Sequence, residues 1–311
     1  MNLTEKRRKQ LQLIEWIRLG AFLGFLGFCI LILMGVENML ISFVLALVIN
    51  YLLAPVVNSL ERAGVHRLIS TFLVFALGGV IVGIAITAIA PFLSQQFTHL
   101  QEQLPIYIEG VSRLITKVEL KLQSILGVTY KTDFGLEAET LLVNWTRSLF
   151  TDLPGILSKL GTTLLLSPFF AFFLIKDGRL FAKNFLSIVP NHIFELTLNM
   201  YYQINDQVGQ FVRARILEAI IVAFVVWLGL WLIGTPFAGL LALFAGITNL
   251  IPYIGPIIGA VPAIVIALIN GDTAFTLLML CTVYGVAQLI DIFFIIPLVV
   301  AKLVNLHPIT V

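Results

Sequence analysis

The stretch FAGLLALFAGITNLIPYIGPIIGAVPAIVIALI, residues 237–269, decides how this chain can fold. None of its side chains is charged, so its natural surroundings are hydrocarbon rather than water. One continuous helix of this length would be about 50 Å long, well beyond a hydrocarbon core roughly 30 Å thick. The prolines inside the stretch also remove backbone donors. We therefore predict two antiparallel segments, 237–251 and 254–269, which form either two short spans or a re-entrant hairpin.

The rest of the chain is similarly apolar. Of the 311 residues, 59% are hydrophobic and 12% are charged, against roughly 45–50% and 25% in soluble proteins. The 19 Lys and Arg and 17 Asp and Glu residues are too few to coat a water-soluble domain, which excludes that class. A net charge of +2 without a basic stripe argues against nucleic acid as a partner.

The apolar residues come in runs of about 15–25, which indicate membrane helices rather than the short alternating strands of a barrel. We predict an all-α polytopic membrane protein with about seven or eight hydrophobic segments, one broken or re-entrant, plus amphipathic extramembrane helices. The predicted spans are 19–36, 39–57, 68–93, 155–175, 216–234, 237–251, 254–269 and 273–300. The corresponding regions are N-terminal membrane segments (1–93), an amphipathic extracytoplasmic region (94–154), a fourth span (155–175), cytoplasmic interfacial helices (176–215) and C-terminal membrane segments with the broken hairpin (216–311).

The distribution of basic residues predicts the orientation. With the N-terminus in the cytoplasm, 13 of the 19 Lys and Arg residues fall on the inner side. The other six lie in or next to the long outer segment, where seven acidic residues outnumber them. We therefore predict a multi-pass protein with a cytoplasmic N-terminus.

The break in the stretch 237–269 is one candidate for a substrate or ion path. Proline and glycine free backbone carbonyls at membrane depth, and transporters use such carbonyls to bind ions or polar solutes. Alternatively, the segment is a tight hairpin whose glycines merely allow close packing. The candidate residues of this path are Asn249, Pro252, Tyr253, Gly255, Pro256, Gly259 and Pro262.

Asp291 is the first candidate for a proton or cation site. A carboxyl deep in an apolar span costs several kcal/mol, so it needs a partner, a cavity or a proton. Gln288 lies three residues earlier on the same helix face and joins the candidates. The alternative is a carboxyl bonded to a neighbouring helix near the interface.

Secondary candidates are polar residues near the ends of spans. Glu218 is expected to form an interfacial salt bridge with a nearby arginine, and a lone histidine is more often structural than a ligand. These candidates are Asp177, Arg213, Arg215, Glu218 and His307. We find no phosphate-binding loop, no protease or hydrolase motif and no metal-ligand spacing, so we predict neither an enzyme nor a cofactor. Energy for transport would then come from ion gradients or from a partner.

Four stretches resemble a known family. They are SPFFAFFLIKDG (167–178), GQFVRAR (209–215), NLIPYIGPIIGAVP (249–262) and the segment 288–308 with Gln288, Asp291, Pro297 and Leu306-His307-Pro308. In these residues the chain resembles the autoinducer-2 exporter (AI-2E) family of bacterial membrane proteins, also known as PerM-like permeases. Arg215 departs from the family pattern, which has Gln there. Similar proteins also continue beyond the position of Val311 into a further span rich in glycine.

The resemblance implies a polytopic transporter of the bacterial inner membrane that forms a homo-oligomer, with a pentamer as the suggested size. Its members are associated with export of the quorum-sensing signal autoinducer-2 or with sodium (lithium)/proton antiport. We therefore expect a secondary transporter or exporter of a small polar solute, embedded in the lipid bilayer. The alternatives are a Na⁺(Li⁺)/H⁺ antiporter and a non-transporting scaffold that recruits partners through 94–154 or 176–215.

Overall fold

The computed structural model describes residues 20, 24, 27–28, 31–32, 35–36, 38–126, 134–187, 189, 191–251 and 255–295. Over these residues the regular structure is helical, which confirms the all-α prediction. The helices are α1 Met39–Arg62, α2 Arg67–Leu126, α3 Phe134–Leu186, α4 Asn191–Ile233, α5 Ala238–Thr248, α6 Gly255–Asn270 and α7 Ala274–Ile290, and a short π-helical turn, Asp291–Ile295, follows α7. Most of the predicted span 19–36 lies outside the described residues.

Five described helices are long and apolar enough to cross a membrane. Between 6% and 22% of their most apolar windows is buried inside the chain, so most of that surface is available to lipid. These helices coincide with the predicted spans 39–57, 68–93, 155–175, 216–234 and 273–300. Their bounds are Met39–Arg62, Arg67–Ile125, Ser158–Leu186, Phe194–Ile233 and Ala274–Phe293.

The predicted region boundaries at residues 93 and 155 are not helix ends. Helix α2 continues for 60 residues, through Pro91 and Pro105, and α3 continues for 53 residues. An interior proline removes one backbone hydrogen bond and crowds the preceding turn, yet the helix continues past both of these prolines. Beyond the apolar part, pairs at helical spacing support α2, such as Arg113 and Glu109 with 2.6 Å between Nη2 and Oε1. The sequence changes polarity at these positions without a break in the helix.

The chain divides into two compact units. One contains Met1–Val80 and Gly155–Arg213, and the other contains Ile81–Pro154 and Ala214–Val311. In the first unit, which we call the N-terminal unit, Val57, Val74 and Ile175 form a small buried cluster.

The second unit, which we call the C-terminal unit, has the larger apolar core. Residues of α4, α5, α6 and α7 contribute to it, and it includes the fully buried Val226, Leu230, Ala263 and Leu280. These four helices hold the polar groups discussed below.

Helices α5 and α6 form the predicted broken hairpin. With 11 and 16 residues they are about 16 and 24 Å long, shorter than a hydrocarbon core of roughly 30 Å. These lengths favour a re-entrant hairpin over two full spans. Glycines allow the hairpin helices to pack closely. A Cβ added at Gly246 would lie 2.7 Å from the Cβ of Ala223 on α4. One added at Gly259 would lie 3.0 Å from the Cα of Ala245.

Candidate ion-binding site

Four polar side chains meet inside the C-terminal unit. Arg215 and Glu218 lie on α4, Asn249 caps the end of α5, and Asp291 follows the last residue of α7. Glu218, Asn249 and Asp291 are only 2%, 3% and 5% exposed. We call these four residues the polar cluster. Polar groups buried to this extent require partners or a ligand, because burial removes their hydration.

Glu218 is the centre of the polar cluster. Arg215 Nη1 donates to both of its carboxylate oxygens, at 2.6 Å for Oε1 and 2.7 Å for Oε2. Asn249 Nδ2 donates to Oε1 at 2.9 Å. Because Arg215 precedes Glu218 by three residues, helix geometry alone places the guanidinium beside the carboxylate. The predicted salt bridge of Glu218 is therefore present, with Arg215 as its partner.

The ion pair is also covered by the protein itself. The Glu218 side chain is 3% exposed and that of Arg215 is 21% exposed, so the ion pair is largely inside the unit. The hairpin contributes to this burial, because Asn249 at the end of α5 donates a hydrogen bond to the carboxylate. Sequence spacing along α4 carries no information about this covering element.

Two backbone features, at Asn249 and at Gly255, fix the position of Asn249 at the end of α5. The backbone N–H of Asn249 donates to the Ala245 carbonyl at 3.0 Å. A Cβ added at Gly255 would lie 2.0 Å from the carbonyl oxygen of Thr248, so only glycine fits where α6 begins. The Asn249 amide is thus directed at Glu218 by backbone geometry as well as by its own hydrogen bond.

Asp291 lies at the end of α7, where the regular helix changes to a π-helical turn. Its carboxyl group interacts with that of Glu218. Its Oδ1 atom is buried and has no hydrogen-bond partner in the described part of the chain. Two acidic groups therefore lie side by side, and one oxygen is available to a proton or a cation.

Two further buried polar atoms on α7 are without partners among the described residues. They are Oε1 of Gln288 and the hydroxyl of Tyr284. Residues 284, 288 and 291 follow the i, i+4, i+7 spacing of one helix face, so the three groups form a polar stripe. Sequence reasoning did not single out Tyr284, although this spacing from Asp291 could have identified it. Native proteins rarely leave buried polar atoms unpaired, so the stripe suggests a bound ligand.

The charges of the polar cluster do not balance by themselves. With both carboxyl groups ionised, Glu218 and Asp291 carry two negative charges and Arg215 supplies one positive charge. Two adjacent carboxylates in a low-dielectric interior repel each other strongly. One proton or one monovalent cation would neutralise the cluster.

The other predicted path residues lie elsewhere or outside the described residues. Gly259 packs against α5, and Pro262 stays inside α6 without ending it. Pro262 lines an apolar cavity of about 460 Å³ together with Phe97, Tyr107 and Phe237. Pro256 is half-buried at the start of α6. Three predicted residues, Pro252, Tyr253 and His307, lie outside the described residues.

Two secondary candidates belong to the N-terminal unit and are not part of the polar cluster. Asp177 pairs with Lys176 at 3.4 Å. Arg213 Nη1 donates to the Tyr51 carbonyl at 3.0 Å and forms no salt bridge with a described residue. In the described ranges, no three His, Cys, Asp or Glu side chains gather as a metal site.

Membrane-length helices, a hairpin of two short apolar helices and buried charged groups are typical of polytopic membrane transporters. The family model of the "AI-2E family transporter" matches residues 19–311, and the chain belongs to this family.

Several relatives support this membership. The protein is 26% identical to YrrI of Bacillus subtilis (strain 168) over 286 residues, which cover 89% of this chain and 78% of the relative. It is 27% identical to YueF of the same organism over 293 residues, covering 88% and 74%. It is 26% identical to PerM of Escherichia coli (strain K12) over 160 residues, covering 51% and 45%. By name, YrrI and YueF are proposed transport proteins and PerM is a proposed permease.

Proposed function

We propose that this protein is a secondary transporter that exports a small polar solute and couples export to ion binding at Glu218 and Asp291. Autoinducer-2 is the solute that the family resemblance suggests. The observation that carries the proposal is the buried Asp291 carboxyl, next to the carboxyl of Glu218 and with one oxygen to which no residue in the described ranges hydrogen-bonds. Most buried carboxyl oxygens with a purely structural role are hydrogen-bonded, so an unpaired oxygen supports a role in ion binding.

In this mechanism, the charge of the polar cluster decides whether the site can be closed. With a proton or monovalent cation bound, the charges of Glu218, Asp291, Arg215 and the ion sum to zero. A neutral cluster can be shut away from water at moderate cost, whereas one with a net negative charge requires hydration. Ion binding would therefore permit closure, and ion release would require an open path to one side of the membrane.

The hairpin is the element through which the polar cluster would act. The Asn249 amide connects the tip of the hairpin to the Glu218 carboxylate at 2.9 Å. A change in the protonation or coordination of Glu218 alters the strength of this hydrogen bond, because a charged acceptor binds more strongly than a neutral one. We propose that the tip moves when this bond weakens and opens the solute path beside Gly255 and Pro256.

Export is tested in proteoliposomes that contain only this protein. Autoinducer-2 would be added outside proteoliposomes in which the protein is inserted inside-out, under an imposed pH gradient. Uptake would be measured for the wild type, Asp291→Asn and Asp152→Asn. Asp152 is exposed, so its variant is a control for the same chemical change. We expect uptake by the wild type and the control and a loss of at least tenfold in Asp291→Asn. Equal uptake by all three would contradict a role for Asp291.

Sodium (lithium)/proton antiport is the second candidate function. Carboxylate and amide oxygens are suitable ligands for a hard cation, and Asp291 Oδ1 and Gln288 Oε1 are two such buried oxygens without partners in the described chain. In an antiporter the proton and the cation would compete for these oxygens. Proton release on addition of sodium or lithium, without any organic solute, would favour antiport over export.

The remaining alternative is a membrane scaffold that acts through 94–154 or 176–215. Such a protein would give no flux of solute or ions in tight vesicles. We further propose, from the family resemblance, that the protein is a homo-oligomer in the bacterial inner membrane with its N-terminus in the cytoplasm. Native mass spectrometry of the purified protein would measure the number of subunits, for which we expect five.

A further inference from the structure

The N-terminal unit contains a second polar site, whose lining includes no member of the polar cluster. A cavity of about 460 Å³ lies between the C-terminal half of α1 and the part of α4 that precedes Ala214. Its lining is rich in polar side chains, among them Arg62, Arg213, Asp206, Asn50, Asn58 and Tyr202. Neither ion coupling nor the hairpin uses these residues. We call it the arginine pocket.

Two guanidinium groups dominate the charge of the arginine pocket. Arg62 lies in the last turn of α1 and is exposed, and Arg213 is half-buried on α4. Neither forms a salt bridge with any residue in the described part of the chain. Asp206 is the acidic residue of the lining, and one of its oxygens accepts a hydrogen bond from Gln210 Nε2 at 2.7 Å. The lining thus carries one net positive charge.

Arg213 is held in place on the wall of the pocket. Its Nη1 donates to the Tyr51 carbonyl at 3.0 Å. A Cβ added at Gly209 would lie 3.1 Å from that same nitrogen and 3.2 Å from the Tyr51 ring. The absence of a side chain at Gly209 therefore makes space for the guanidinium. The carbonyl uses one of the five N–H donors of the guanidinium. The remaining donors and the positive charge are available to an anion.

We infer that the arginine pocket binds a phosphate group that carries neighbouring hydroxyl groups. Guanidinium groups match phosphate oxygens in charge and in the geometry of paired hydrogen bonds. The asparagine amides and the Tyr202 hydroxyl add neutral donors, and Asp206 supplies an acceptor for ligand hydroxyl groups. The end of a membrane helix is also where basic pockets meet the headgroups of anionic lipids. A glycerophospholipid headgroup and a free polyol phosphate share this chemistry.

The test measures equilibrium binding of a fluorescent phosphatidylglycerol to the purified full chain in detergent. Unlabelled phosphatidylglycerol, phosphatidylcholine and glycerol 3-phosphate serve as competitors. The variants are Arg62→Gln, Arg213→Gln and, as a control with the same loss of charge, Lys183→Gln, which is exposed in the same unit and does not line the pocket. Arg62 is exposed, so Arg62→Gln remains informative if Arg213→Gln does not fold.

We expect each arginine variant to weaken binding about tenfold, the usual effect of losing one charge-assisted contact, and Lys183→Gln to bind like the wild type. Competition by phosphatidylglycerol alone identifies a lipid headgroup, and equally strong competition by glycerol 3-phosphate identifies a soluble phosphate. Binding within twofold of the wild type in both arginine variants would overturn the inference. An equal loss in Lys183→Gln, or equal competition by phosphatidylcholine, would also overturn it.

Discussion

At the scale of single residues, a few charged groups must be neutralised inside an apolar protein. The Glu218 carboxylate accepts hydrogen bonds from Arg215 and Asn249, whereas one Asp291 oxygen has no hydrogen-bond partner among the described residues. The first carboxylate is therefore largely satisfied by the chain, and the second is suited to exchange a ligand. This division of roles between neighbouring acidic groups follows from their hydrogen bonds and not from their residue types.

The substitution Arg215→Gln tests the buried ion pair and introduces the residue that the family resemblance leads us to expect at this position. It leaves a buried carboxylate without its cation, which typically costs about 3 kcal/mol. We expect a melting temperature several degrees lower in detergent, measured by intrinsic fluorescence. The double variant Arg215→Gln/Glu218→Gln removes both charges and should regain most of the loss. If the single variant melts like the wild type, the pair does not stabilise the fold.

The sequence identified each member of the polar cluster but not their assembly. Arg215, Glu218, Asn249 and Asp291 were recognisable because polar residues are rare in apolar spans. The contact between Glu218 and Asn249 joins residues 31 positions apart, and it depends on how the hairpin packs against α4. A single sequence contains no signal for that packing. Tyr284 escaped notice because a tyrosine in a span is usually a packing residue.

At the scale of elements, the hairpin of α5 and α6 completes the site. Its tip contacts Glu218, which lies about 22 Å from the end of α4 at Ile233 by helix rise. The broken helix was predictable from proline and glycine. The unbroken lengths of α2 and α3 were not, because a change from apolar to polar sequence does not by itself end a helix.

The substitution Gly255→Ala tests whether the shape of the tip matters. The added Cβ would lie 2.0 Å from the Thr248 carbonyl oxygen, so the backbone must shift and carry Asn249 away from Glu218. We expect a lower melting temperature and at least a tenfold loss of transport in proteoliposomes. Gly285→Ala is the matched control: it lies inside α7 with no atom within 4 Å of the added Cβ, and alanine favours the helix. Wild-type transport by Gly255→Ala would show that the tight tip is dispensable.

At the scale of the whole molecule, two units share one chain, and three of its helices contribute residues to both. The ion-binding candidates lie in the C-terminal unit and the arginine pocket lies in the N-terminal unit. The transporter class and the family rest on the match over residues 19–311. The substrate, the coupling ion, the orientation and the oligomeric state are proposals that experiments on the intact protein can decide.

The orientation is tested with single cysteines on a background in which Cys29 and Cys281 are replaced by serine. Lys121 and Lys183 are both exposed, and the distribution of basic residues places them on opposite sides of the membrane. We expect a membrane-impermeant maleimide to label Lys121→Cys in spheroplasts and Lys183→Cys only after the membrane is permeabilised. The reverse pattern would place the N-terminus outside.

The most direct test of ion coupling is proton movement in tight proteoliposomes that contain a pH-sensitive dye. Wild type, Asp291→Asn and Asp152→Asn would each be given a sodium or lithium pulse and, separately, a gradient of autoinducer-2. We predict that at least one of these triggers moves protons in the wild type and in Asp152→Asn, and that neither does so in Asp291→Asn. Undiminished proton movement in Asp291→Asn, or none in correctly folded wild type with either trigger, would contradict coupling at this carboxyl pair.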